Sequence, residues 1–117
     1  MQKNLTIEKA QSGTTENYDV IKFSGEFDKA GHSDVKADLE TLVKAFDKKI
    51  LVFDFAGLKF INSEGIGYLM EIHAHLMKKD KKLVIVGMSA HVEDVFKTIG
   101  IQEIITLYPT LKDFKDK

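Results

Sequence analysis

Ile50 to Phe55 reads I-L-V-F-D-F, a run of six residues broken only by Asp54. A run that short is the length of a strand, and apolar residues at consecutive positions mean a strand covered on both faces. Such a strand demands helices above and below it. The chain has 117 residues, 44% of them hydrophobic, which suits one domain over 1–117 able to bury a core without disulfides or metal.

The flanking segments supply the missing layers. Leu5 and Ile7 alternate with polar neighbours, the polar stretch S-G-T-T-E-N follows, and Tyr18 to Phe23 resume a β-rich pattern, predicting two strands joined by a turn. Val35, Leu39, Leu42, Val43 and Phe46 are spaced by threes and fours, predicting a helix with Ser33 or Asp34 as its cap. Ile66, Leu69, Met70, His73, Leu76 and Met77 form a second helical stripe, ended by the charged turn Lys78 to Lys82. Leu83 to Val86 then reads as another central strand. Val92, Val95, Phe96 and Ile99 mark a shorter helix stopped by Gly100, where a left-handed residue is favoured. Ile104 to Leu107 is the last expected strand, and Pro109 is placed to open a terminal helix carrying Leu111 and Phe114. Strands followed by alternating strands and helices predict an α/β domain: a mixed, mostly parallel sheet with about four helices packed on it.

Composition narrows the partners. Seventeen basic and eighteen acidic side chains leave a formal charge of -1, so there is no global case for nucleic acid or an anionic membrane. The absence of cysteine excludes disulfides and thiolate metal sites and fits the cytoplasm. No run of eighteen apolar residues exists and the first residues lack a signal-peptide core, so the expected protein starts at or near Met1 and does not insert in a membrane.

The chemistry concentrates where the central strand leads, through a short expected turn, into the second helix at N62-S63-E64-G65. Asn62 and Ser63 are both good cap residues, because a short polar side chain accepts a hydrogen bond from an unpaired N–H of the first turn. Gly65 and Gly67 weaken a helix start by roughly 0.5 to 1 kcal/mol each. Two glycines there suggest a close approach to the backbone. A phosphate on Ser63 would add about -1.5 to -2 charges beside the positive end of the helix dipole, so the fold tolerates it while a partner matched to neutral serine is repelled. On residue types alone, capping and tight packing account for the same four residues.

The stretch L-V-F-D-F-A-G-L-K-F-I-N-S-E-G-I-G resembles the switch region of STAS domains, the family of anti-sigma factor antagonists, in which a D-S-[ST]-G-[LI]-G type motif opens a helix. F-S-G-E-F-D (Phe23 to Asp28) resembles the family's G-x-[LF]-D element, L-V-I-V-G-M-S its strand before the third helix, and Val92 to Gly100 the [VI]-x-x-[VI]-[FL]-x-x-x-G pattern. The resemblance covers nearly the whole chain in order. It implies a binding protein, not an enzyme, that regulates transcription by partner switching. When unphosphorylated, such a protein holds an anti-sigma factor serine kinase and frees the sigma factor; the kinase inactivates it with ATP, and a PP2C-type phosphatase restores it. Carried over by match, Ser63 is the phosphoacceptor, Asn62 and Gly65 are its neighbours, and Asp28 belongs to the adjoining partner surface. The expected contact face comprises Phe27, Asp28, Asn62, Ser63, Glu64, Gly65 and, as exposed helix residues, Tyr68 and Glu71. It would dock on the ATP-lid side of the kinase.

Two positions depart from the family pattern. Its aspartate before the serine is Asn62 here, and its following Ser or Thr is Glu64. Asparagine keeps the capping geometry and removes a charge; Glu64 restores one on the other side of Ser63. Two outcomes stay open, altered kinase specificity or a non-phosphorylated STAS subunit of a stress-sensing or lipid-transport assembly. No cofactor is expected. His32, His73, His75 and His91 lack metal-ligand spacing, and His73 reads as a packed histidine on the apolar stripe. Neither a G-x-S-x-G elbow nor a P-loop is present. The lysines at 78, 79, 81 and 82 read as solvated surface near a helix end rather than a phosphate site.

Overall fold

A computed structural model describes residues 3–10 and 16–117. The polar turn expected between the first two strands lies largely outside the described residues, as does Met1. The elements run β1 (Leu5–Ala10), β2 (Tyr18–Phe27), α1 (Lys29–Ala45), β3 (Ile50–Ile61), α2 (Ser63–Lys78), β4 (Lys82–Val86), α3 (Ala90–Ile99), one 3-10 turn (Ile101–Glu103), β5 (Thr106–Tyr108) and α4 (Leu111–Lys115). The strands form one five-stranded sheet in sequence order, with β1 antiparallel to β2 and every other pair parallel. This is the expected mixed, mostly parallel α/β architecture.

Sequential order decides where the helices go. Right-handed crossovers between successive parallel neighbours put their connecting helices on the same face of a sheet. Accordingly Phe23, Phe53, Phe55 and Ile85 share one buried cluster with Val35 and Leu39 of α1, Leu69 and Ile72 of α2, and Val92 and Phe96 of α3. Residues of the other parity, Val20, Val52, Val84 and Val86, form a smaller cluster with Phe114 of α4. Both faces of β3 are covered as its apolar run requires, one by three long helices and the other by a five-residue helix.

Several boundaries differ from expectation. Helix α1 begins six residues before Val35 and is capped by Asp28, whose carboxylate accepts from the Gly31 N–H at 2.8 Å. Ser33 and Asp34 lie inside the helix, and Asp34 instead accepts from the Asn4 N–H at 2.7 Å, tying β1 to α1. The turn expected after Phe55 is strand: β3 continues to Ile61. Pairing with β2 jumps from Lys22↔Asp54 to Ser24↔Gly57 and from Gly25↔Leu58 to Glu26↔Phe60, each jump leaving an extra residue in β3. These bulges space the buried Phe55, Leu58 and Ile61 by three, which hides the strand from a period-two reading. In α2 the buried face includes Tyr68 and Ile72, while Met77 is 58% exposed, because the helix packs on α1 as well as on the sheet. Ile104 ends the 3-10 turn and is exposed, so β5 starts later than expected; Pro109 precedes the cap Thr110 rather than opening α4. Gly100 stops α3 in the left-handed region with φ 90°.

Candidate functional site

The ends of β2 and β3 build the site. Phe27 pairs with Ile61, the Asn62 N–H donates to the Phe27 carbonyl at 3.3 Å, and the residues that follow the pair, Asp28 and Asn62, are the caps of α1 and α2. The Asn62 side-chain oxygen accepts from the N–H groups of Glu64 at 3.1 Å and Gly65 at 3.4 Å. Two helix N-termini, each the positive end of a dipole, therefore open side by side at one edge of the molecule. Ser63, the first residue of α2, is exposed there with Glu64.

The two glycines play different parts. A β-carbon on Gly65 would stand 2.5 Å from the Phe27 carbonyl oxygen, so this glycine lets α2 approach β2 within the chain. A β-carbon on Gly67 would meet nothing within 4 Å, so that position leaves open surface beside Ser63. The close approach expected from both is thus made by Gly65 alone, and its occupant is β2.

Burial trims the expected contact face. Phe27 is fully buried, Gly65 is buried and Tyr68 is 6% exposed, because the first turns of α2 pack Gly65 and Tyr68 against Phe27 at the end of β2. Tyr68 is therefore not the exposed helix residue expected; Asp28 and Asn62 are half-buried, and Ser63, Glu64 and Glu71 are exposed. His32, in the first turns of α1, is a site residue that no local sequence pattern marks. Its ring packs 4.2 Å from that of Tyr68, and its Nδ1 lies 3.7 Å from a Glu64 carboxylate oxygen. Pairing across α1 and α2 gives no sequence signal beyond the residue type. His32, Ser63, Glu64, Gly67, Tyr68 and Glu71 line a shallow depression of about 230 Å³. A neighbouring hollow of about 320 Å³ between α1 and α2 is bordered by Glu40, Tyr68, Glu71 and His75. Burial, reinforced by the carboxylates of Glu40 and Glu71, pushes the Tyr68 phenol up to about 12, so the phenol stays neutral at ordinary pH.

The arrangement offers an exposed hydroxyl at a helix N-terminus inside an acidic rim. Among the described residues no group of three His, Asp or Glu side chains is placed to hold a metal ion. His73 is half-buried, and its buried Nδ1 lacks a hydrogen-bond partner. No helix is long and apolar enough to cross a membrane among the described residues.

Residues 9–114 match the family described as STAS domain. Among solved structures, an anti-sigma factor antagonist from Mycobacterium paratuberculosis superposes with a TM-score of 0.80 at 22% identity, covering 93% of this chain and 89% of that one. The anti-sigma factor antagonist SpoIIAA in its unphosphorylated form gives 0.73 at 20% identity, covering 95% and 94%. A sulfate transporter family protein from Wolinella succinogenes gives 0.72 at 14% identity, covering 87% and 84%. At such identities the likeness to the solved structures shows a shared fold.

Proposed function

This chain belongs to the STAS domain family, and on that premise we propose that it is an anti-sigma factor antagonist, a cytoplasmic protein that acts by binding and is switched by phosphorylation of Ser63. The observation that carries this reading is the exposure of Ser63 as the first residue of α2, next to the N-terminus of α1. In the unphosphorylated state the rim formed by Asp28, Asn62, Ser63, Glu64 and Glu71 holds an anti-sigma serine kinase, which releases its sigma factor. The kinase transfers the γ-phosphoryl group of ATP to the Ser63 hydroxyl. The phosphate brings about -1.5 to -2 charges and three acceptor oxygens to the contact, and the partner leaves by repulsion and the cost of desolvating that charge. The positive end of the α2 dipole accepts the phosphate locally, while the N–H groups of Glu64 and Gly65 keep their bonds to Asn62, so the fold persists. A PP2C-type phosphatase resets the cycle.

One specific observation favours a second reading. Glu64 and Glu71 line the same depression as Ser63, so a phosphate there meets two carboxylates. In that reading the same face is a permanent docking surface of a stress-sensing or transport-associated assembly, and Ser63 is a contact only.

Intact-mass spectrometry of the protein from its own cells, with fragment mapping, separates the two. A phosphate-sized increase on Ser63 is the result expected for the switch; its absence across growth and stress conditions assigns the docking role. With the cognate kinase in hand, Ser63→Ala binds constitutively and Ser63→Asp binds poorly. Equal binding of Ser63→Asp and wild type rules the switch out.

A further inference from the structure

The end of the molecule opposite Ser63 carries a different surface. Helix α2 spans about 22 Å from Ser63 to its last turn at 1.5 Å per residue. There, Ile50, Met77, Leu83 and Ile104 line a groove of about 510 Å³, larger than either hollow beside Ser63. Met77 is 58% and Ile104 50% exposed, an unusual placement for large apolar side chains that the sheet and helices leave uncovered.

Lysines also surround the groove. Lys49, Lys81 and Lys82 border it, with Asp80 as the acidic residue among its lining, on a protein whose formal charge is -1. Lys81 is committed: its ammonium donates to the Phe46 carbonyl and lies 5.1 Å over the Phe46 ring. Lys49 and Lys82 are exposed neighbours, joined by the Lys82 N–H donating to the Lys49 carbonyl at 3.0 Å, and neither makes an ion pair among the described residues. The dipole at the C-terminal end of α2 accounts for lysines on the helix, as at Lys78 and Lys79; it does not account for Lys49 and Lys82 at the starts of β3 and β4.

We propose that this groove binds a monomeric anionic amphiphile, a single carboxylate head on an aliphatic body. The aliphatic body lies over Met77, Ile104, Ile50 and Leu83, and the carboxylate meets the ammonium groups of Lys49 and Lys82. The volume falls in the range of roughly 300–1,000 Å³ typical of small-ligand sites, and Ile50, Met77, Leu83 and Ile104 form its apolar part among lysines, Asp80, His73 and Thr106.

The test is a titration followed by methyl NMR of Met77 and Ile104, using three probes: decanoate, butyrate with the same head and little chain, and decanol with the same chain and no charge. Decanoate is expected to shift both methyl sets saturably, butyrate not to, and decanol to bind about fivefold more weakly, the loss of an ion pair with exposed ammonium groups. The double variant Lys49→Gln, Lys82→Gln, altered only at exposed side chains, is expected to lose about the same factor for decanoate and none for decanol. Absent or non-saturating shifts, equal affinity for decanol, or an unchanged double variant overturns the proposal. Binding of an acidic, apolar peptide where decanoate fails overturns it too and assigns the groove to a protein partner. Ser63 takes no part in any of these measurements, so their failure leaves the switch reading untouched.

Discussion

Asp28 and Asn62 cap neighbouring helices from strand ends that pair one residue earlier, at Phe27 and Ile61. The candidate switch is therefore the C-terminal ends of two neighbouring strands with a helix start on each, and the strength of each cap is measurable. Asn62→Ala is expected to lose about 1 kcal/mol of stability in urea denaturation, because the N–H groups of Glu64 and Gly65 lose their acceptor. Asn62→Asp keeps that acceptor, adds a negative charge at the dipole's positive end, and is expected to match or exceed wild type.

Gly65 and Gly67 are expected to respond oppositely to the same change. Gly65→Ala places a β-carbon against the Phe27 carbonyl and is expected to destabilise by about 1–3 kcal/mol. Gly67→Ala enters open space on an exposed helical position and is expected to stabilise by roughly 0.5–1 kcal/mol. Thermal or urea unfolding of the two variants side by side checks the assignment.

Ser63→Asp is expected to unfold no earlier than wild type, since Ser63 is exposed and an anion at the first turn of a helix gains about 0.3–1 kcal/mol. A clear loss of stability would show that the serine carries a structural load, which would make any binding defect of the variant uninformative.

The face of α2 is tested by Ile72 and Met77. Ile72 is 4% exposed and Met77 58%. Ile72→Ala is expected to cost about 2–5 kcal/mol. Met77→Ala is expected to stay within about 0.5 kcal/mol of wild type.

Tyr68 predicts a pH dependence. Its folded-state pKa of about 12 lies above the ordinary 10, so the folded state holds the phenol proton more tightly than the unfolded one. The stability tied to that neutral phenol is fully present below about pH 10 and is lost as pH rises towards about 12. Wild type and Tyr68→Phe should therefore show a constant difference in urea midpoint up to about pH 10 and diverge above it, with wild type weakening first. Parallel curves through that range would contradict it.

Much of the fold was readable in the linear chain, because the forces that select it are local or periodic. The run Ile50 to Phe55 specifies a doubly covered strand, helical spacing specifies α1 and α3, and Gly100 ends α3 where only a left-handed residue fits without strain. The Asn62 cap and the glycine beside it were equally visible, since capping is an interaction within three residues. The remaining features belong to residues far apart in sequence. Bulged pairing with β2 extends β3 to Ile61, and packing against α1 turns Tyr68 and Ile72 inward and Met77 outward on a helix with a broad apolar face. The same packing brings His32 to Tyr68 and Glu64, and the converging ends of α2 and of strands β3 to β5 set lysines around an apolar groove. Local propensity is blind to such meetings; they exist only once the sheet has chosen its order and the helices their face.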